Sequence, residues 1–183
     1  MKKQIFAIFM IIILFLINFS GCTKEEDANS NSLSSLDWSN SEYGIGLNYP
    51  DGWTVNNNDA YGAIVRFNGK TDSGVTPNIG ITGPSQLENN QTLSEAVDEV
   101  IVTYQDILTD FSLISSKSKL VNNMDGWEIL YTFTQGTVNL KQKQVLVVKE
   151  TLTYVITLSA PNNSVFNTYD ALFEQSVSSF TIL

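Results

Sequence analysis

Among the side chains that could do chemistry, the thiol of Cys22 has the most informative setting: it is the sole cysteine in 183 residues and follows Phe19-Ser20-Gly21. The chain contains no histidine. Histidine-based serine triads, cysteine–histidine pairs and conventional zinc cages therefore cannot be assembled. Acid–base work would fall to carboxylates, lysines and tyrosines. Glu95 and Asp98 stand three apart in one helical pattern, the spacing of a solvated helix face. Asp51, Asp59, Asp72 and Asp125 lie in loops rich in Asn, Ser and Gly, where oxygen ligands could collect around extracellular calcium. None follows an EF-hand spacing, and turn formation already accounts for them. The glycines form no phosphate-binding pattern. No catalytic, cofactor-binding or metal-ligating residue is assigned.

Cys22 points instead to lipid attachment. Lys2 and Lys3 precede an unbroken apolar run from Ile5 to Ile17, about the length of a signal-peptide core and short of the roughly 20 residues that span a bilayer. Ser20-Gly21 then supplies the small residues a signal peptidase accepts. The arrangement resembles the lipobox of prokaryotic lipoproteins, with Phe19 where Leu is usual. That resemblance implies diacylglyceryl transfer to the Cys22 thiol and cleavage before it. Two acyl chains, at about 0.8 kcal/mol per buried methylene, hold a protein on a membrane where one chain would not.

Residues 1–21 are thus expected to be a signal peptide, and residues 22–40 a lipidated cysteine with a flexible tether rich in Ser, Asn and acid, including Glu25-Glu26-Asp27. Residues 41–183 remain as one domain of ordinary size. Cleavage removes two lysines and no acids, leaving eight basic against nineteen acidic residues, a net charge of −11 on the mature chain. A surface so acidic argues against nucleic acid as a partner and against lying flat on anionic headgroups. Leu33, Leu36 and Trp38 could let the far end of the tether dock on the domain.

Within the domain, Tyr43, Ile45, Leu47 and Tyr49 alternate with Gly44, Gly46 and Asn48, the period of a half-buried strand. Pro50-Asp51-Gly52 turns the chain. Further strands are expected over Ala63–Phe67 and Asn78–Thr82, the latter closed by Gly83-Pro84. Thr92-Leu93-Ser94-Glu95 has the form of a capping box, and apolar residues from Leu93 to Phe111 recur at helical spacing behind it. Strands over Leu113–Val121, from Trp127 to Phe133, over Val138–Lys149 and over Thr153–Leu158 follow, and three adjacent strands with tight connections make an antiparallel meander. A second amphipathic helix is expected over Ser164–Val177, capped by Ser164. The fold class is α+β, a largely antiparallel sheet covered by helices.

The order of several motifs adds to this. Tyr49-Pro50-Asp51-Gly52-Trp53, Thr92-Leu93-Ser94-Glu95-Ala96, Gly126-Trp127-Glu128, the segment from Tyr154 to Ala160, and Ser178-Ser179-Phe180 together resemble the PsbP-like (PsbP/Mog-type) family from about Ser41 to Leu183. The resemblance implies an antiparallel sheet sandwiched by helices. It brings no metal, cofactor or binding residue with it, and with a lipid signal and no histidine it does not imply a photosystem role.

Trp53 and Trp127, at strand starts, read as staples between sheet and helix. Tyr43, Tyr61 and Trp38 could line a groove for a partner or ligand. Asn90-Gln91-Thr92 and Asn162-Asn163-Ser164 fit the N-glycosylation pattern, although Thr92 and Ser164 already have a use as caps. The expected function is a non-enzymatic, lipid-anchored binding or accessory domain on the outer face of a prokaryotic membrane, contacting an envelope protein complex. The alternative is a small-ligand or calcium-binding lipoprotein with a pocket between sheet and helix. Cys22→Ser should release the protein from membranes or leave its signal uncleaved, scored by fractionation and mass spectrometry; membrane retention with a lipid-free mature N-terminus would refute the lipobox.

Overall fold

The computed structural model describes residues 35–57, 62–71, 74–88 and 91–183. Cys22, the signal segment, Leu33, Asp59, Tyr61, Asp72 and Asn90 lie outside the described residues. In chain order the elements are β1 (Ser35–Asn40), β2 (Ile45–Pro50), β3 (Thr54–Asn56), β4 (Val65–Asn68), β5 (Asn78–Gln86), α1 (Leu93–Ile107), β6 (Thr109–Val121), β7 (Met124–Gln135), β8 (Val138–Lys149), β9 (Leu152–Pro161), α2 (Phe166–Ser179) and β10 (Thr181–Ile182). Two sheets result, both antiparallel: β1-β2-β10, and the seven-stranded β3-β4-β5-β9-β8-β7-β6.

The folded unit reaches back to Ser35, so the last six residues expected in the tether form a strand instead. Every residue from Ser35 to Asn40 pairs across to β2. Trp38 gives that strand a place to dock: its ring meets Phe67 edge-on at 5.7 Å and its indole N–H donates to Asn57 Oδ1 at 3.0 Å.

Side chains alternate along a strand, and here the alternation separates two cores. Val65, Phe67, Ile79, Ile81, Val145, Val147, Ile156 and Leu158 point to one face and pack with Ile45 and Leu47 of β2 and with Phe166, Phe173 and Val177 of α2. Ile129, Tyr131, Phe133, Leu140 and Leu146 point to the other and pack with Val97, Val100, Ile101 and Tyr104 of α1. The architecture is a mostly antiparallel sheet with two helices, and α2 shares its face with the small sheet.

The expected three-strand meander forms and is extended by one strand, so that β6 to β9 pair in succession. Asn122 and Asn123, with φ of 48° and 63°, make the two-residue turn between β6 and β7 that suits the right-handed twist of a hairpin. The capping box is also present: Glu95 N–H donates to Thr92 Oγ1 at 3.2 Å while Thr92 N–H donates to Glu95 Oε2 at 2.8 Å. Around the motif at 49–53, Trp53 N–H donates to the Pro50 carbonyl, and Gly52 takes a φ of +75° that a side chain would oppose.

Three boundaries differ from those expected. α1 stops at Ile107, and Phe111 joins the α1-side core from β6. Its ring reaches Tyr104 from a strand as well as it would from a helix, so apolar spacing alone did not separate the two. β5 continues through a register shift past Gly83-Pro84 to Gln86, because Ser85 and Gln86 find partners in Thr153 and Leu152. Ser164 does not cap α2; the helix begins after Val165 without a side-chain cap, and Asn163 Oδ1 accepts the Val165 N–H at 2.9 Å.

Gly126 has a packing reason. A Cβ there would lie 2.6 Å from the Leu146 carbonyl oxygen and 3.0 Å from that of Lys119, both backbone atoms of flanking strands. Gly126→Ala should therefore force β6, β7 and β8 apart locally, lowering stability by about 1–3 kcal/mol. Chemical denaturation checks this; an unchanged midpoint would mean the strands yield freely.

Candidate functional site

Those of the residues singled out by sequence that are described form no common metal or catalytic site. Asp51 is a turn residue whose Oδ1 accepts the Gly52 N–H at 2.9 Å, and Asp125 lies in β7. Glu95 is engaged with Thr92, whose backbone N–H and then hydroxyl hold its carboxyl below the usual carboxylate range. Among the described residues, no group of three or more Asp, Glu, His or Cys side chains is arranged to hold a metal ion. Trp53 is half-buried and meets Tyr169 of α2 edge-on at 6.1 Å, as a staple between turn and helix would. Trp127 packs against the α1-side core and donates to Ser116 Oγ at 2.7 Å. Asn162 donates to Asn139 Oδ1 at 3.0 Å.

Two other clusters do form, one on each face of the large sheet. Under α2 lies an ionic network. Lys119 Nζ reaches Glu128 at 2.9 Å and Glu174 at 2.6 Å, Lys117 reaches Glu128 at 3.2 Å, and Lys143 pairs with Asp170 and, at 3.0 Å, with Glu174. Three lysines face three carboxylates, so the network is neutral. Lys143 and Glu128 are buried, while Asp170 and Glu174 of α2 are partly solvated. Burial disfavours the charge on Glu128, but Lys119, with Lys143 and Lys117 beside it, outweighs that and holds the carboxyl below the ordinary range. Burial likewise opposes the charge on Lys143, and Asp170 and Glu174 outweigh it and raise that ammonium.

On the α1 side the central strands are polar where their opposite faces are aliphatic. Pairing across β4, β5, β9 and β8 sets Arg66, Gly80, Thr157 and Gln144 in one row and Asn68, Asn78, Ser159 and Gln142 in the next. Arg66, Asn78, Gln142, Gln144, Thr157 and Ser159 are all buried. Tyr131 donates to Gln142 Oε1, Gln142 Nε2 donates to Ser159 Oγ at 3.2 Å, and Tyr104 donates to Gln144 Oε1 at 2.9 Å. Burial pushes both tyrosines up, Tyr131 well above its ordinary value with Tyr104 beside it adding to the effect, so each is a hydrogen-bond donor at neutral pH.

Arg66 escaped the sequence reading, though a signal existed: it is the chain's sole arginine, set inside the apolar run Ala63–Phe67. The polar start of β8 was visible; its meeting with Ser159 and Thr157 depends on register.

Residues 5–182 match the model of a family described as PsbP-like protein. The chain belongs to the PsbP-like family. Solved structures agree in fold at low identity. Cyanobacterial PsbP (CyanoP) of Synechocystis sp. PCC 6803 is 16% identical with a TM-score of 0.61, covering 87% of this chain and 98% of that one. LpqN of Mycobacterium tuberculosis, described as involved in cell envelope biogenesis, is 14% identical with a TM-score of 0.57, covering 75% and 82%. A point mutant of Mog1 is 10% identical with a TM-score of 0.57, covering 82% and 96%. A sequence comparison with curated proteins finds no match. In this PsbP-like chain, Gly126 of the Gly-Trp-Glu motif is a close-packed glycine and Glu128 anchors the ionic network.

The network sets a two-sided pH dependence. A carboxyl lowered on folding contributes stability above its unfolded value and loses it as pH falls through the folded one, so the Glu128 contribution fades below about pH 4.3. An ammonium raised on folding contributes below its unfolded value and loses that contribution as pH rises through the folded one, above about pH 10.4 for Lys143. Lys143→Met should flatten the alkaline limb and cost about 1–3 kcal/mol, reduced from a fully buried pair because α2's carboxylates are partly solvated. Unfolding midpoints across pH check this; an unchanged alkaline limb would remove Lys143 from the account.

Proposed function

We propose that this protein is a non-enzymatic accessory domain anchored by lipid on Cys22 to the outer face of a prokaryotic membrane, where it contacts an envelope protein complex. The observation that carries the reading is Cys22 itself: the sole thiol of the chain stands directly behind an export-type apolar run and Ser20-Gly21. A diacylated cysteine places the domain at the membrane, and the acidic residues after it favour an extended connection away from anionic lipid. Membership of the PsbP-like family and the fold likeness to LpqN, itself described as involved in cell envelope biogenesis, support an envelope role. We read the architecture as the α/β/α sandwich of that family, supported by α1 and α2 packing with alternate residues of one sheet.

The domain then works by contact, and the lipid supplies local concentration. Proximity labelling from the lipidated protein in intact cells should enrich a small set of envelope proteins, and chemical cross-linking in membranes should shift part of it to a discrete higher mass. Cys22→Ser should lose that enrichment while the domain still folds. Recovery of the monomer alone under several cross-linking chemistries, with labelling no different from an unrelated lipoprotein, would overturn the proposal.

A further inference from the structure

The large sheet ends at β6, and the two halves of that edge are built differently. Over residues 109–114 the pairing with β7 shifts register twice and Asp110 takes a φ of 53°, so this half is bulged. Over residues 115–121 the register with β7 is unbroken. Bulges blunt an edge against further pairing, and the regular half lacks them. The two-residue turn at Asn122 and Asn123 closes on Val121 and Met124 as a hydrogen-bonded pair, and alternation from there turns the backbone N–H and C=O of Ser116, Ser118 and Leu120 away from β7. Among the described residues no strand pairs on that side, and Leu120 is 71% exposed. Lysines commonly guard such edges, but Lys117 and Lys119 are drawn back over the sheet to Glu128 and Glu174.

We propose that residues 115–121 are a docking edge for an extended, basic segment of another envelope protein, which adds to the large sheet as a further strand. The inference rests on the contact role proposed above and names its surface. Main-chain bonds to Ser116, Ser118 and Leu120 supply the attachment. Charge selects the occupant. Ser116, Ser118 and Leu120 share the α1 side with Trp127 and Asp125 of β7, α1 adds the exposed Asp98 and Asp106, and neither α1 nor these strand positions include a lysine or arginine. An added strand lies about 10 Å from β7, two intervals of about 4.8 Å and about one Debye length at 0.1 M salt, so cationic side chains on its α1 side meet that negative field. A second copy fits poorly: antiparallel pairing of β6 with itself, centred on Lys117, Ser118 or Lys119, sets lysine opposite lysine on one side while acid meets acid on the other. At about 3.4 Å per residue and a sheet thickness of about 10 Å, the open strip covers about 240 Å², room for one extended segment and well short of the roughly 800 Å² per partner of a stable dimer.

The test titrates the full chain with a synthetic peptide alternating Lys and Val, as long as residues 115–121, and with its Glu–Val counterpart. Saturable binding of the Lys–Val peptide is expected, at least tenfold tighter than that of the Glu–Val peptide. Hydrogen exchange should slow at the amides of Ser116, Ser118 and Leu120 and stay as it was at Lys117 and Lys119, whose N–H groups already face β7. Ser118→Pro removes one outward N–H and leaves the backbone bonds to β7 in place, so it should weaken the Lys–Val peptide at least tenfold, while Ser118→Ala leaves it unchanged. Should Ser118→Pro fail to fold, the alternating exchange pattern of the wild type decides the matter. No saturable Lys–Val binding, slowing that does not alternate, or equal affinity in Ser118→Pro would overturn the docking edge. Glu–Val binding as tight as Lys–Val would overturn the basic occupant, as would a wild-type dimer that Ser118→Pro dissociates. In intact cells, Ser118→Pro labelling the same envelope proteins as the wild type would overturn the edge and leave the contact role standing, whereas no enrichment by the wild type removes the contact role itself.

Discussion

Because side chains alternate along a strand, the register between β8 and β9 governs both faces of the large sheet at once. It sets Val145 opposite Ile156 and Val147 opposite Tyr154 in the core under α2, and in the same stroke sets Gln144 opposite Thr157 and Gln142 opposite Ser159 on the other side. A slip of one residue would present Lys143 and Lys141 to the α1 side and push Gln142 and Gln144 into aliphatic surroundings. Neither arrangement could be satisfied. The register is therefore fixed by two constraints, an apolar core that must stay dry and a polar row that must keep its partners.

The ionic network depends on that same register. Lys143 lies on the α2 face because Val145 and Val147 do, and from there it reaches Asp170 and Glu174 one helical turn apart. Lys119 brings β6 into the same set through Glu128 of β7, so three strands and a helix share one group of charges. Buried ion pairs add little net stability against well-packed aliphatic residues, but losing one partner leaves a charge stranded. The network thus constrains how α2 rotates over the sheet more than how tightly it is held, and Phe166, Phe173 and Val177 supply the tighter grip.

How much of this the sequence disclosed follows the range of each interaction. The capping box at Thr92 and Glu95, the turn at Pro50 to Gly52 and the hairpins of the meander are local, and each was legible from a few residues. β1 was not, because a strand with Asn and Ser around Trp38 has no strong period of its own and depends on β2 for its hydrogen bonds. Phe111 satisfied a helical spacing while packing from a strand, and Ser164 looked like a cap while Asn163 served the turn. The polar rows were the least legible. Arg66, Asn78, Ser159 and Gln142 are up to 93 positions apart in the chain, and each alone has the look of a solvent-facing strand residue until antiparallel pairing brings them together.

The chemistry of those rows also bears on what kind of function they can serve. Amides and hydroxyls do not exchange protons near neutral pH, and a guanidinium stays protonated throughout. The two tyrosines are driven away from the neutral range by burial, and their hydroxyls are already committed to Gln142 and Gln144. With no histidine in the chain and its one thiol at Cys22, an efficient general base poised near pH 7 would have to be a carboxylate or lysine shifted far from its ordinary value. Glu128 and Lys143 are shifted in the opposite sense, each toward keeping its charge. Side chains so composed hold their partners through hydrogen bonds and charge. Such a composition fits the contact role proposed above.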